Sequence, residues 1–277
     1  MHTTRTFISV LATDNYLPGF LVLNSSLRSV GSQYPLHVLL TPNISKTVLE
    51  ILDKNFISYS RIPEQINNPT KVHANHRWFS TYSKLAIFDQ EQYEKIVYLD
   101  LDMLILRPID ELFEYPHMSA TNAGSMLPRK QDRRHQELNS GLMVIEPSHT
   151  LFNDMLDKVG KIENLEIEYG TEMPIRGSDQ DFINAYYPKW PDQKHLHLDH
   201  KYNIFHYHLD EYNKLFGYSI GPGPSPVSII HYASFIKPWN IAKEEISRLE
   251  STPDKYLELE AIRMWIEHYK NIVADLS

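Results

Sequence analysis

Fourteen residues near the middle of the chain, Lys95 to Pro108, read Lys-Ile-Val-Tyr-Leu-Asp-Leu-Asp-Met-Leu-Ile-Leu-Arg-Pro. The apolar run Ile96–Leu99 suits a buried strand. It stops at two carboxylates, Asp100 and Asp102, before a second apolar run, Met103–Leu106, begins. Side chains two apart on extended backbone point the same way, so both acids face one spot at the carboxyl end of the strand. Charge beside a buried strand is costly unless compensated. The carboxyl ends of strands are also where open α/β sheets hold ligands. Two hard oxygens there suit Mg2+ or Mn2+ together with substrate phosphates. A bare Asp-x-Asp fits a pair of solvated turn aspartates equally well, so other parts of the chain must decide.

The flanking sequence sets the fold class. Thr6–Leu11 is strand-like, and Leu17–Val30 has helical spacing with Pro18 in its first turn. Leu36–Leu40 is a second strand, Lys46–Asp53 a helix capped by Ser45, and Phe56–Ile62 a third strand. This alternation predicts an α/β domain, its mostly parallel sheet flanked by helices on both faces. No Gly-rich phosphate fingerprint follows the first strand, so neither a P-loop nor a dinucleotide site is supported. Thr81–Tyr93 reads as a helix carrying Lys84. Leu138–Glu146 reads as a polar Asn139-Ser140-Gly141 corner running into a buried strand. Ser178 caps a helix that opens with Asp179 and Gln180, where an acidic side chain also has the bland role of favouring the helix dipole. Two helices close the chain, giving a main domain over 1–240 and a helical extension over 241–277 packed on it.

Charge and composition remove several classes. A formal net charge of −8 argues against nucleic acid as a partner. The absence of cysteine excludes disulfides and thiolate metal sites and fits a reducing compartment. No stretch approaches a membrane span, and Met1–Thr6 lacks the apolar core of a signal peptide, so the expected location is cytoplasmic.

A second constellation lies near the end of the strand-like Val227–Tyr232. His231 offers an imidazole, which suits Mn2+ better than Mg2+ or Ca2+, and Lys237 could place a cation on a diphosphate. Taken singly, His231 reads as a structural histidine and Lys237 as a surface lysine. Their spacing around a Ser234-containing loop that ends Lys237-Pro238-Trp239 is harder to attribute to chance.

In this order and at these distances, Asp100-Leu101-Asp102, Asn139-Ser140-Gly141, Asp179-Gln180 and His231…Lys237-Pro238-Trp239-Asn240 resemble the glycogenin-like branch of glycosyltransferase family 8. Lys84 and the opening strand with Thr13, Asp14 and Tyr16 match as well. The resemblance implies a single nucleotide-diphosphosugar-binding GT-A fold, a UDP-sugar donor, Mn2+ with Mg2+ as the alternative, and hexose transfer with retention. It gives Asp100, Asp102 and His231 to the metal. Val10, Ala12, Thr13 and Tyr16 fall to the uridine, with Tyr16 stacking on the base. Leu101, Ser140, Ser234, Lys84 and Lys237 line the donor, Lys237 at its diphosphate. Asn139, Asp179 and Gln180 bind the sugar hydroxyls beside the reacting carbon, and a homodimer would agree with the family.

Retention needs either a carboxylate nucleophile or attack from the leaving-group side. Asp179 is the one nearby motif carboxylate not given to metal, and same-face attack with Asp179 and Gln180 as positioning groups is the expectation. Three departures stand out, the first being Arg176, where the family's glucose-binding loop often has an acidic residue. Asp210 falls where glycogenin has its own tyrosine acceptor, with Tyr207 and Tyr212 nearby, so a separate acceptor is expected. The basic segment Met126–Gln136, with Arg129, Lys130, Arg133 and Arg134, fits an anionic acceptor or a lid. The competing readings are a non-catalytic sugar-nucleotide or carbohydrate-binding protein of the same fold, and a metal-dependent nucleotidyltransferase or phosphodiesterase. The first would have been expected to lose a metal ligand, and the second would favour more acids and no Lys-Pro-Trp loop.

Overall fold

Alternate residues of the opening strand pack on opposite sides of the sheet, which is why its sequence is apolar almost throughout. In the computed structural model, which describes residues 5–68, 80–123, 127, 133–159, 161 and 178–276, β1 (Arg5–Leu11) sends Phe7 and Leu11 into one core and Ile8 and Val10 into another. α1 (Leu17–Ser29), β2 (Leu36–Leu40), α2 (Lys46–Lys54) and β3 (Tyr59–Arg61) follow in the expected rhythm, with Ser45 accepting the Val48 N–H at the start of α2. The third strand is shorter than its sequence implies because Phe56 takes a left-handed conformation, φ 52°, at the end of α2. β4 (Lys95–Leu99) completes the parallel core of a five-stranded sheet, order β3-β2-β1-β4-β6. After β5 (Met103–Ile105) comes a short helix, α3 (Arg133–Gln136). β6 (Leu142–Ile145) then pairs antiparallel to β4 with Leu99 opposite Leu142.

Thr81–Asp89 is a run of 3-10 helix rather than the expected α-helix to Tyr93. Tyr82 to Phe88 are all buried, so no solvent-facing stripe sets a 3.6-residue period and packing decides the winding. α4 (His149–Val159) packs against this segment, and α5 (Asp179–Tyr186) follows. β7 (Ile204–Phe205), α6 (Leu209–Phe216) and the ribbon of β8 (Tyr218–Ser219) with β9 (Ser225–Pro226) lead to β10 (Ile229–His231). β10 lies between β5 and β7, antiparallel to the former.

α7 (Lys243–Glu250) and α8 (Tyr256–Leu276) cover this second sheet. Leu249, Leu259, Ile262 and Trp265 share a core with Val22 of α1, Leu104 and Ile230. Asp210 anchors α8 by accepting the Leu257 and Glu258 N–H groups at 2.9 and 3.0 Å. Among the described residues no helix is long and apolar enough to cross a membrane.

Candidate active site

Sheet topology brings four distant segments to the end of β4. Because β6 runs antiparallel to β4, the corner that starts β6 lies where β4 stops, and the Asp100 N–H bonds the Gly141 carbonyl at 2.8 Å. Because β10 runs antiparallel to β5 with His231 opposite Met103, the imidazole arrives beside Asp102, and the Tyr232 N–H bonds the Asp102 carbonyl at 2.8 Å. Ligating atoms of Asp100, Asp102 and His231 lie within 4.8 Å of one another. His231 Nε2 is 3.2 Å from Asp102 Oδ1 and 3.8 Å from Asp100 Oδ2. A side chain at position 141 would close this space, since a Cβ there would lie 2.7 Å from His231 Cε1 and 3.0 Å from Asp100 Oδ2.

Lys84 joins the acids into a network. Its buried ammonium is 2.7 Å from Asp179 Oδ2 and 3.2 Å from Asp100 Oδ1, and it donates to the Ser140 hydroxyl and carbonyl. Burial opposes that charge, but Asp100 and Asp179 together outweigh it and raise the lysine above its ordinary value. Tyr98, buried under the ammonium, donates its hydroxyl to Asp100 Oδ1 at 2.6 Å. Burial and the neighbouring Asp100 push this phenol well up, so it remains a donor. Asp179 is not the helix cap: Ser178 and Asp181 form the capping box of α5, leaving Asp179 to Lys84 and the Ser140 hydroxyl. Gln180 Oε1 accepts the Ser140 N–H at 3.2 Å.

The Lys237 ammonium is on Asp102 Oδ2 and the Tyr232 carbonyl. Lys237, expected from the sequence at a diphosphate, here pairs with a carboxylate of the candidate metal site. Burial pushes the Asp102 carboxyl up, but His231 when its ring is protonated, together with the Lys237 ammonium, more than offsets it and holds the group well below the usual carboxylate range. Ser234, on the same loop, donates to the Ile236 carbonyl. Val10 is buried at the end of β1, while Ala12, Thr13 and Tyr16 form the turn into α1. The Tyr16 ring meets Trp239 edge-on at 5.4 Å. Leu101 is buried, and its carbonyl closely abuts Gly19, where a Cβ would lie 2.6 Å away.

Asn139 sits 6% exposed with its Oδ1 accepting from the Gly141 N–H and from Asn203. Sequence reasoning missed Asn203 as a site residue, as it did Tyr98. Asn203 lies in a His- and Tyr-rich stretch without helix or strand periodicity, which gives its residues no readable orientation. Of the sequence-flagged tyrosines, Tyr212 is 2% exposed with its hydroxyl on His200 Nδ1. Arg129, Lys130 and Arg176 lie outside the described residues, and Arg133 begins the short α3.

The site's donor set fits a divalent cation. Carboxylate oxygens of Asp100 and Asp102 and a ring nitrogen of His231 converge on one point. Three carboxylates (Asp100, Asp102, Asp179) against two ammonium groups (Lys84, Lys237) leave an excess of negative charge there.

The sequence model of Glycosyl transferase family 8 matches residues 7–242. The inositol phosphorylceramide glucuronosyltransferase 1 of Arabidopsis thaliana is 33% identical over 189 residues, 68% of this chain and 31% of that protein. Human glycogenin-1 is 28% identical over 246 residues, covering 86% of this chain and 63% of its own. The chain spans about a third of the length of the plant relatives it matches. Among solved structures, the galactosyltransferase LgtC with donor and acceptor sugar analogues superposes with a TM-score of 0.61 over 96% of both chains at 17% identity, a likeness of fold.

Proposed function

The chain belongs to glycosyl transferase family 8 with a GT-A fold, and on that premise we propose that it is a metal-dependent, retaining transferase moving a hexose from a UDP-sugar to an acceptor hydroxyl. The observation that carries the reading is the convergence of Asp100, Asp102 and His231 within 4.8 Å, at the strand end where this family's fold would hold a diphosphate. Asp100, Asp102 and His231 would hold Mn2+, or Mg2+ in its place. When bound, the cation would supply stabilisation of the charge developing on the departing UDP.

The protein's own groups do the rest. Lys237, whose ammonium pairs with Asp102, would share it with the leaving phosphates. The turn of Ala12, Thr13 and Tyr16, following Val10, receives the uridine. Asn139, Asp179 and Gln180 orient the sugar. Asp179 is a poor covalent nucleophile, because its carboxylate already meets Lys84 at 2.7 Å and the Ser140 hydroxyl at 3.1 Å. That pairing favours attack on the face of the leaving group, with Asp179 and Gln180 positioning the ring. The acceptor oxygen then bonds the anomeric carbon as its bond to the UDP oxygen breaks, and the acceptor proton passes to that departing oxygen. A separate acceptor fits better than self-transfer, since Asp210 caps α8 and Tyr212 is buried.

The donor sugar is glucose, galactose or N-acetylglucosamine in this reading. The names of the plant relatives favour glucuronic acid as a second choice. UDP release from each of the four UDP-sugars with Mn2+, and its loss on adding EDTA, tests the proposal. A protein that releases UDP from none of them, or that is indifferent to EDTA, would refute it.

A further inference from the structure

We infer that Asn203 is a positioning residue for the metal centre: through it, the Gly141 backbone dictates which nitrogen of His231 carries the proton and turns the other toward Asp100 and Asp102. The inference rests on the metal-dependent reading above and adds to it the device that prepares the imidazole.

The argument starts from a group whose polarity is not in question. The Gly141 N–H can only donate, and it lies 2.9 Å from one terminal atom of the Asn139 amide, which must therefore be the oxygen. That oxygen is 2.8 Å from one terminal atom of the Asn203 amide. Two amide oxygens do not bond, so this atom is the NH2 group, which also reaches the Thr121 hydroxyl at 3.2 Å. The remaining Asn203 atom is then the oxygen, and it lies 2.8 Å from His231 Nδ1. An amide oxygen only accepts, so Nδ1 carries a hydrogen. In the neutral ring Nε2 is left with its lone pair, directed at Asp102 Oδ1 3.2 Å away and at Asp100 Oδ2 3.8 Å away. Three acceptors facing one point repel one another unless a cation lies among them.

Burial makes the chain of bonds hard to rewire. Asn139, Asn203 and His231 are 6%, 5% and 4% exposed, and Thr121 is 1% exposed, so water has little access to replace a lost partner. Position 141 also has to be glycine for the chain to exist, because a Cβ there would stand 2.9 Å from Asn139 Oδ1 and 2.7 Å from His231 Cε1. Outer partners of this kind orient a metal-binding histidine and typically change metal affinity 10- to 100-fold when removed.

Two measurements test the inference. Long-range 1H–15N correlation spectra of 15N-histidine-labelled, metal-free protein at mildly alkaline pH read the tautomer of each neutral ring, with His231 assigned by its disappearance in His231→Gln. The expected form is Nδ1–H; an Nε2–H ring at 231 in the parent protein overturns the inference without recourse to a variant. Titration of Mn2+ followed by its electron paramagnetic resonance signal then compares the parent with Asn203→Leu, matched in size but unable to bond, at a temperature where both are folded. Mn2+ affinity is expected to fall 10- to 100-fold. An affinity within twofold of the parent overturns the positioning role. If the parent binds no Mn2+ while His231 is the Nδ1–H form, the metal-dependent function fails on its own and the tautomer assignment stands.

Discussion

Replacing Lys84 by methionine isolates the charge that holds the acidic cluster together. Methionine keeps the length and most of the packing of the buried stem but deletes an ammonium 2.7 Å from Asp179 and 3.2 Å from Asp100. Asp100 retains the Tyr98 hydroxyl and is partly exposed, with 26% of its side-chain surface accessible. Asp179, only 6% exposed, is left among the described residues with the Ser140 hydroxyl as its one side-chain donor. The cost therefore arises chiefly at Asp179. Removing one partner of a buried pair costs about 3–5 kcal/mol. For a chain of this size that corresponds to a fall in Tm of roughly 5–9 °C. Adding Asp179→Asn removes the stranded charge, so the double variant should recover most of the loss, with a coupling of about 2 kcal/mol or more. The pair is sheltered from solvent, and the loss should persist in high salt. Mn2+ affinity should not fall, because Lys84→Met removes a positive charge from beside Asp100. Thermal and denaturant unfolding of the parent, both single variants and the double variant close the cycle. A Lys84→Met protein within 1 kcal/mol of the parent, or a loss that Asp179→Asn fails to relieve, would refute this account.

Gly141→Ala should lower Mn2+ affinity about tenfold or more while the far-ultraviolet circular dichroism stays the same, since the added methyl would strike His231 and Asp100. Lys237→Ala should raise the donor KM without lowering Mn2+ affinity, because its proposed task is the diphosphate and its loss removes a positive charge from Asp102; titration calorimetry with Mn2+ and steady-state kinetics would distinguish these effects. Burial lowers His200 to about 4 and His206 to about 3, so both stay neutral in the fold when the unfolded chain, near 6.5, takes up protons. Stability should therefore be complete above about pH 6.5 and fall toward pH 4, by about 2 kcal/mol per histidine at pH 5. Denaturant unfolding at pH 7.5 and 5.0 should show this slope, and His200→Phe should reduce it; an identical slope would count against the assignment.

What was legible from residues alone was local. The apolar run into Asp100 and Asp102, the alternation that builds β1 to β3, the Ser45 and Ser178 caps and the motif at His231 all declare themselves within a few positions, because strand period and capping are short-range properties. Tertiary structure decided what depends on strand pairing and on enclosure. The antiparallel seating of β6 against β4 and of β10 against β5 brings Gly141 and His231 to the acids, and no single stretch encodes that register. The 3-10 winding around Lys84 follows from burial on every side, which erases the period from which a helix is read. The bonds from Gly141 through Asn139 and Asn203 to His231 join groups up to 92 positions apart, and only folding gives those amides a direction.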